Sequence, residues 1–161
     1  PASFIVLEDE SRLIGRIQVP HELKRAMDAA PVVVLNEPLE QRIERIRRDY
    51  IISQYDELCE LNADRAIELL SEQLLSATDA IRKRLGGVNH QEVRKMVENA
   101  LIQHAKGDLE AHRHWIGFLL NNYYDPMYHY QMDKKKERVV FAGNRKEIID
   151  WLFDKTANST S

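Results

Sequence analysis

Hydrophobic positions along this chain follow two rhythms. Continuous apolar runs mark the ends, and stripes at helical spacing mark the middle. Phe4-Ile5-Val6-Leu7 is an unbroken run closed by Glu8-Asp9-Glu10. It reads as a strand covered on both faces and is too short for a buried helix. Val32-Val33-Val34-Leu35, closed by Asn36-Glu37, is a second such run. Val139-Val140-Phe141-Ala142, turned by Gly143, is a third. Between the first two, Gly15 supplies a turn with positive φ. Pro20 then sits in the first turn of a helix from His21 to about Ala30, with Leu23, Ala26, Met27 and Ala30 on one face. Pro31 ends it. Strand, helix and strand in so few residues predict a right-handed βαβ unit. The apolar runs are therefore expected as neighbouring parallel strands, with Asp9 and Asn36 at one edge.

Pro38 opens the next helix, with Leu39, Ile43, Ile46 and Tyr50 facing the core. From Tyr55 a long stripe runs through Leu58, Leu61, Ile67, Leu70, Leu74, Ala77, Ile81 and Leu85, broken near Asn62 and stopped by Gly86-Gly87. Asn89 with Glu92 forms a capping-box pattern. The stripe Val93, Met96, Val97, Ala100, Leu101 and His104 follows and ends at Gly107. Asp108 caps a third helix with Leu109, His112, Ile116, Leu119 and Tyr123 inside, and Asp125-Pro126 is expected to break it. Three amphipathic helices with short links predict a bundle whose inner face carries Leu70, Leu74, Ile81, Val97, Leu101, Ile116 and Leu119. After a basic turn and the third apolar run, Asn144 and Glu147 form a capping box for a last helix carrying Ile148, Trp151 and Leu152. The expected fold class is α/β, a partial parallel sheet interrupted by a mainly helical insertion. Residues 1–54 and 131–155 form the sheet part, 55–130 the helical subdomain and 156–161 a disordered tail.

The 161 residues suffice for one domain with a core. No apolar run approaches the length needed to span a bilayer, so no membrane partner is expected. No basic stretch precedes an apolar one at the start, as a signal peptide requires. The chain starts at Pro1 and enters a strand-like run almost at once, which reads as a piece of a longer protein. Cys59 is the single cysteine, so no intramolecular disulfide can form. Its place between Leu58 and Leu61 reads as a core or boundary thiol, and the cytoplasm is the natural compartment. His104 and His112 fall on apolar stripes and read as satisfied core histidines. A net charge of −3 does not favour nucleic acid in bulk, which leaves local patches to consider.

The candidate chemistry sits at the strand ends. Carboxylates at the C-terminal end of a sheet strand lie where open α/β sheets bind ligands. An apolar strand ending in acid resembles the Walker B element of P-loop NTPases, where the acid serves Mg²⁺; a solvated acidic turn is the alternative. Arg42, Arg45 and Arg48 lie at i, i+3, i+6. They read either as a solvated face with Glu40 and Glu44 or as a phosphate clamp resembling the lid helix of small P-loop kinases. Lys134, Lys135 and Lys136 are a second basic patch. The string Tyr123-Tyr124-Asp125-Pro126-Met127-Tyr128-His129-Tyr130 is dense in aromatics. Packing is the favoured reading and stacking on bases the other.

Together FIVLEDESRLIGR, AAPVVVLNEPLEQRIERI, LLNNYYDPMYHYQMDKKKERVVFAG and the WLF near the end resemble the C-terminal part of the bacterial tRNA 2-selenouridine synthase family, from Phe4 to about Lys155. The resemblance implies a tRNA-modifying transferase with a rhodanese domain and a P-loop domain. Such an enzyme geranylates the wobble 2-thiouridine of tRNA with geranyl diphosphate, then exchanges the thiogeranyl group for selenium from selenophosphate. The sheet is then expected to be P-loop-like. No G-x-x-x-x-G-K-[ST] occurs in this chain, and Cys59 does not match a rhodanese loop. The catalytic cysteine and the P-loop are thus expected in a missing N-terminal half, and the isolated chain is expected to be inactive. On this reading Asp9, Glu10, Arg12, Arg16, Arg42 and Arg45 face diphosphate, selenophosphate or tRNA phosphate, with Asp9 as a Mg²⁺ ligand. Tyr124, Tyr128, Lys134 and Lys135 are the candidate RNA contacts. Two alternatives remain: a fragment of a P-loop small-molecule kinase, and a non-catalytic helical interaction module, whose sign would be an exposed apolar patch on the helices.

Overall fold

The second and third apolar runs pair with each other in parallel. In the computed structural model, which describes residues 4–9 and 12–158, β3 (Val32–Leu35) lies beside β4 (Val139–Gly143), with Val33 opposite Phe141 and Leu35 opposite Gly143. The ladder continues one step to Asn36, whose N–H donates to the Gly143 carbonyl at 2.8 Å. The first run does not join them. Phe4–Leu7 lies in no strand, and its side chains are 38–82% exposed. Apolar composition makes a strand only where it pairs with a neighbour's ladder of amides and carbonyls, and Phe4–Leu7 pairs with neither outer edge of β3 and β4. The expected three-stranded sheet with Asp9 and Asn36 at one edge is therefore corrected to a two-stranded parallel pair. A second, antiparallel pair surrounds Gly15: β1 (Leu13–Ile14) and β2 (Ile17–Gln18) form a hairpin. Gly15 turns it with φ 61°.

The chain divides into two compact units, Pro1–Glu37 with Met132–Ser161, and Pro38–Gln131. In the first, α1 (His21–Ala29) ends where Arg138 donates from Nη1 to the carbonyls of Ala30 at 2.8 Å and Met27 at 3.1 Å. α9 (Arg145–Asn158) follows β4, and its Trp151 stacks on Phe141 of that strand with centroids 5.3 Å apart. The capping box at its start forms as expected. Asn144 Oδ1 accepts from the N–H groups of Lys146 and Glu147 at 2.9 and 3.1 Å, and Glu147 Oε2 accepts from the N–H of Asn144 at 2.7 Å. The helix runs through Asn158, past the start of the expected tail, whose last residues, 159–161, lie outside the described residues.

The second unit is helical. It contains α2 (Leu39–Arg47), α3 (Ser53–Asn62), α4 (Ala66–Ala80), α5 (Arg82–Leu85), α6 (Gly87–His104), α7 (His112–Leu119) and most of α8 (Asp125–Asp133). Leu70, Val97, Leu101, Ile116 and Leu119 are buried as expected, with Leu74 and Ile81 packed half-buried against them. The fold is thus mostly helical, with a small parallel sheet.

Several local expectations fail for identifiable reasons. α2 and α3 are joined by a π-helical turn, Arg48–Ile52. Its extra residue rotates the helix face, so Ile51 is fully buried while Tyr50, expected inside, is 64% exposed. Leu61 is 81% exposed because α3 ends there, at the extended backbone of Asn62. A second π-helical turn, Leu120–Tyr124, directly precedes Asp125-Pro126. A proline ring collides with the carbonyl four residues back in an α-helix. The wider turn relieves this, and the chain stays helical from His112 to Asp133 instead of breaking. The Asn89–Glu92 box is not used. α6 begins earlier, at Gly87, and the Asn89 amide donates to the Leu85 carbonyl at 3.4 Å.

Candidate functional site

The sequence-nominated residues fall into both units. In the first, Asp9 is exposed and its carboxylate is held by the ammonium of Lys135. Arg12 and Arg16 are exposed, one before β1 and the other in the hairpin turn. Arg12 contributes its carbonyl to the N–H of Val19 at 3.0 Å. Glu10 lies outside the described residues. Lys134 is exposed beside Lys135, in the turn after α8. Among the described residues no group of three or more His, Cys, Asp or Glu is placed to hold a metal. Mg²⁺ is commonly held by one or two carboxylates with waters and substrate phosphates. Asp9, already neutralised by a lysine, gives one such ligand and no cage, so the described residues do not by themselves fit the ion.

In the second unit Arg42 closes its guanidinium fork on Asp125, Nη1 donating to Oδ2 at 3.1 Å and Nη2 to Oδ1. This joins the middle of α2 to the first residue of α8. Glu40 and Glu44, the expected local partners of the arginine face, bind Arg113 of α7 instead, and Glu44 also binds Arg47. Arg47 holds Glu44 well below the usual carboxylate range, with Arg113 adding to it. Arg45 is exposed on α2. Tyr124 and Tyr128 are 45% and 47% exposed, and Tyr130 is 60% exposed. The favoured packing reading therefore holds for Tyr123, which is buried in the helical core, and is corrected for these three. Burial raises the Tyr124 hydroxyl above its ordinary pKa, and the nearby hydroxyls of Tyr123 and Tyr50 add to the shift.

The sequence reading treated the histidines singly and missed their association. His104 Nδ1 and His112 Nε2 are 3.0 Å apart, and Trp115 Nε1 donates to His112 Nδ1 at 2.9 Å. All three side chains are buried, and His104 Nε2 has no hydrogen-bond partner. His112 was a core histidine as expected, with both nitrogens engaged; His104 is core but only half satisfied. The spacing His104, His112 and Trp115, on helices joined by Gly107, was the available signal. A groove on this unit is lined by Asn99, Gln103, Asp108, Arg113 and His114, and none of the nominated residues lines it.

A two-stranded parallel sheet in the first unit and a helical second unit place the protein only loosely in the α/β class. The chain belongs to the tRNA 2-selenouridine synthase family: residues 1–159 match the model of that family's AAA domain. It is 43% identical over 154 residues to the tRNA 2-selenouridine synthase of Shewanella loihica, covering 94% of this chain and 41% of the relative. The protein of the same name from Hahella chejuensis is 42% identical over 158 residues, covering 98% and 42%. That from Shewanella frigidimarina is 43% identical over 152 residues, covering 93% and 42%. The chain therefore spans about two fifths of the length of these relatives. No solved structure matches it. Among the described residues, no helix is long and apolar enough to cross a membrane.

Proposed function

We propose that this chain is part of a cytoplasmic tRNA 2-selenouridine synthase that replaces the wobble 2-thiouridine sulfur of tRNA with selenium from selenophosphate, by way of an S-geranyl intermediate made from geranyl diphosphate. The observation that carries the reading is the family match over residues 1–159, together with the synthase relatives at about 42% identity. A rhodanese domain and a P-loop would come from polypeptide outside this chain, and Asp9, which lies on no strand, would be the acid of the phosphate site. The phosphate-facing residues would be Asp9, Glu10, Arg12, Arg16, Arg42 and Arg45, and the RNA-facing ones Tyr124, Tyr128, Lys134 and Lys135. Exposure of Arg12, Arg16, Arg45 and the two tyrosines supports those roles. The bond from Arg42 to Asp125 argues against its direct contact with phosphate. If Mg²⁺ takes part, Asp9 would be the one carboxylate of this chain to share it with substrate phosphate and ligands from outside the chain. The metal would offset phosphate charge, and Lys135 would have to release the carboxylate.

The alternative of a small-molecule kinase fragment accounts for neither the helical unit nor the tyrosine string. The test is conversion of tRNA bearing wobble 2-thiouridine by the full-length protein with selenophosphate and geranyl diphosphate, read by mass spectrometry of the nucleosides. Selenouridine formation by the full-length protein, and none by the 161-residue chain alone, is the expected result. Absence of any product from the full-length protein would overturn the proposal.

A further inference from the structure

We propose that Arg42 and Asp125 are a positioning pair, which presents the exposed face Tyr124, Met127 and Tyr128 of α8 as a stacking platform for unpaired RNA bases. The inference rests on the functional reading above for the identity of the RNA. It assigns that reading's aromatic contacts a geometry, adds Asp125 and gives Arg42 a role other than holding phosphate.

The guanidinium edge that would grip a phosphate is occupied. Both Nη atoms of Arg42 donate to the two carboxylate oxygens of Asp125, with the side chains 30% and 22% exposed. A bidentate pair fixes direction as well as distance. Asp125 is the first residue of α8, directly after the π-helical turn, inside the continuous helical run from His112 to Asp133. Pro126 comes next, with its φ locked by the ring. The entry of α8 is thus held from α2 at one residue and stiffened at the following one.

The face this sets is unusual. Tyr124, Met127 and Tyr128 lie at i, i+3 and i+4, a spacing that ordinarily turns inward. Yet they are 45%, 41% and 47% exposed. The Tyr124 ring stands edge-on to Tyr123, with centroids 4.9 Å apart, and Tyr123 is anchored in the core. Tyr50, thrown outward by the first π-helical turn, lies close enough for its hydroxyl to act on that of Tyr124. A face of tyrosines and methionine, without Leu, Ile, Val or Phe, suits flat rings better than an aliphatic protein surface. Stacking on bases tolerates any sequence and leaves the hydroxyls in water.

The experiment uses the full-length enzyme. Affinity for tRNA, kcat at saturating tRNA and thermal melting are measured for R42A, R42K, D125N, the R42A/D125N double variant, and the Tyr124→Ala/Tyr128→Ala and Tyr124→Phe/Tyr128→Phe pairs. The tyrosine-to-alanine pair should lose about tenfold or more in tRNA affinity, the size expected for losing a stacked base, with melting unchanged. The phenylalanine pair should bind like wild type. R42A and D125N should weaken binding to the same degree, with the double variant no worse than either. R42K should recover part of the loss, and in every variant the loss of tRNA affinity should exceed any fall in kcat at saturating tRNA. If D125N tightens tRNA binding or leaves it unchanged while R42A weakens it, Arg42 is a phosphate contact and the positioning role is wrong. If the tyrosine-to-alanine pair binds tRNA like wild type, the face serves another partner, such as a protein, and the inference fails while the functional reading stands. Wild-type enzyme that binds no tRNA would remove that reading and this inference with it.

Discussion

His112 donates from Nε2 to Nδ1 of His104 across 3.0 Å, and the direction of that bond is fixed by Trp115. An indole N–H can only donate, so the His112 Nδ1 it reaches at 2.9 Å must accept. The proton of neutral His112 is then on Nε2, and His104 in turn carries its proton on the unpartnered Nε2. A second proton on either ring would set donor against donor.

The pH dependence follows. Burial lowers the His112 pKa from 6.5 to about 4, with neighbouring His104 and Arg47 adding to the effect and Asp108 opposing it. Burial lowers His104 as well. The unfolded chain therefore binds protons below about pH 6.5 that the folded helical unit refuses. Stability is fully present above that pH and falls as the pH drops towards 4, by roughly 3 kcal/mol from His112 if its shift is fully expressed. Urea unfolding at pH 7.5, 6.5, 5.5 and 4.5, for wild type and a His104→Phe/His112→Phe variant, checks this. The wild type should lose stability below about pH 6.5, and the variant should lose much less. Parallel curves would mean that other groups carry the acid sensitivity.

The π-helical turn Arg48–Ile52 makes a sharp contrast between adjacent residues. Ile51 has no exposed surface and Tyr50 is 64% exposed. Ile51→Ala should cost about 2–5 kcal/mol, the range for emptying a packed core site. Tyr50→Ala should stay within about 0.5 kcal/mol. Equilibrium denaturation of both variants decides it. The reverse order would restore the uninterrupted α-helix that the sequence suggested.

The parts read correctly from sequence are those governed by local chemistry. The Asn144–Glu147 box, the Gly15 turn, the stop of α1 near Pro31 and the stripes Leu70, Val97 and Ile116 each depend on a few neighbours. What was missed depends on residues far apart. Phe4–Leu7 looks like β3 in composition, but pairing partners are not written in a strand's own residues. The π-helical turn Arg48–Ile52 has no local signature, which leaves Tyr50 a residue out of phase in a reading from spacing alone, whereas the turn before Asp125-Pro126 turns an expected break into a continuous helix. Arg42 stands out in the sequence as a candidate phosphate contact, and in the structure its guanidinium holds a carboxylate. Its partner Asp125, distant in sequence, could be found only in three dimensions.

The cap of α9 ties two neighbouring residues into one prediction. Asn144→Ala removes the acceptor for two helix N–H groups and should cost about 1 kcal/mol. A Cβ at Gly143 would meet Glu147 Oε2 at 2.7 Å and Glu147 Cβ at 3.0 Å. Gly143→Ala should therefore push Glu147 off the Asn144 N–H. Because both changes undo the same box, the double variant should lose less than the two singles added together. Thermal melts of the three variants test it, and strict additivity would mean that the box is not a unit.

Asp9 and Lys135 make the last test, because their pairing joins a residue nominated for phosphate chemistry to one nominated for RNA. The pair is partly exposed, at 36% and 22%, so its own worth to the fold is small, about 0–1 kcal/mol. Asp9→Asn and Lys135→Gln should both fold normally, and their effects on ligands should diverge. If Lys135 meets an RNA phosphate, Lys135→Gln in the full-length enzyme weakens tRNA binding and lowers the slope of log affinity against log salt by about one. Asp9→Asn frees the same ammonium and should tighten tRNA binding at low salt. If Asp9 also serves Mg²⁺ at a diphosphate, that variant should bind geranyl diphosphate more weakly in the presence of Mg²⁺, while its tRNA affinity rises. Salt titrations with tRNA and Mg²⁺ titrations with geranyl diphosphate separate the two roles. An unchanged salt slope in Lys135→Gln removes the lysine from the RNA surface. Unchanged diphosphate binding in Asp9→Asn leaves the carboxylate as a partner for Lys135 and nothing more.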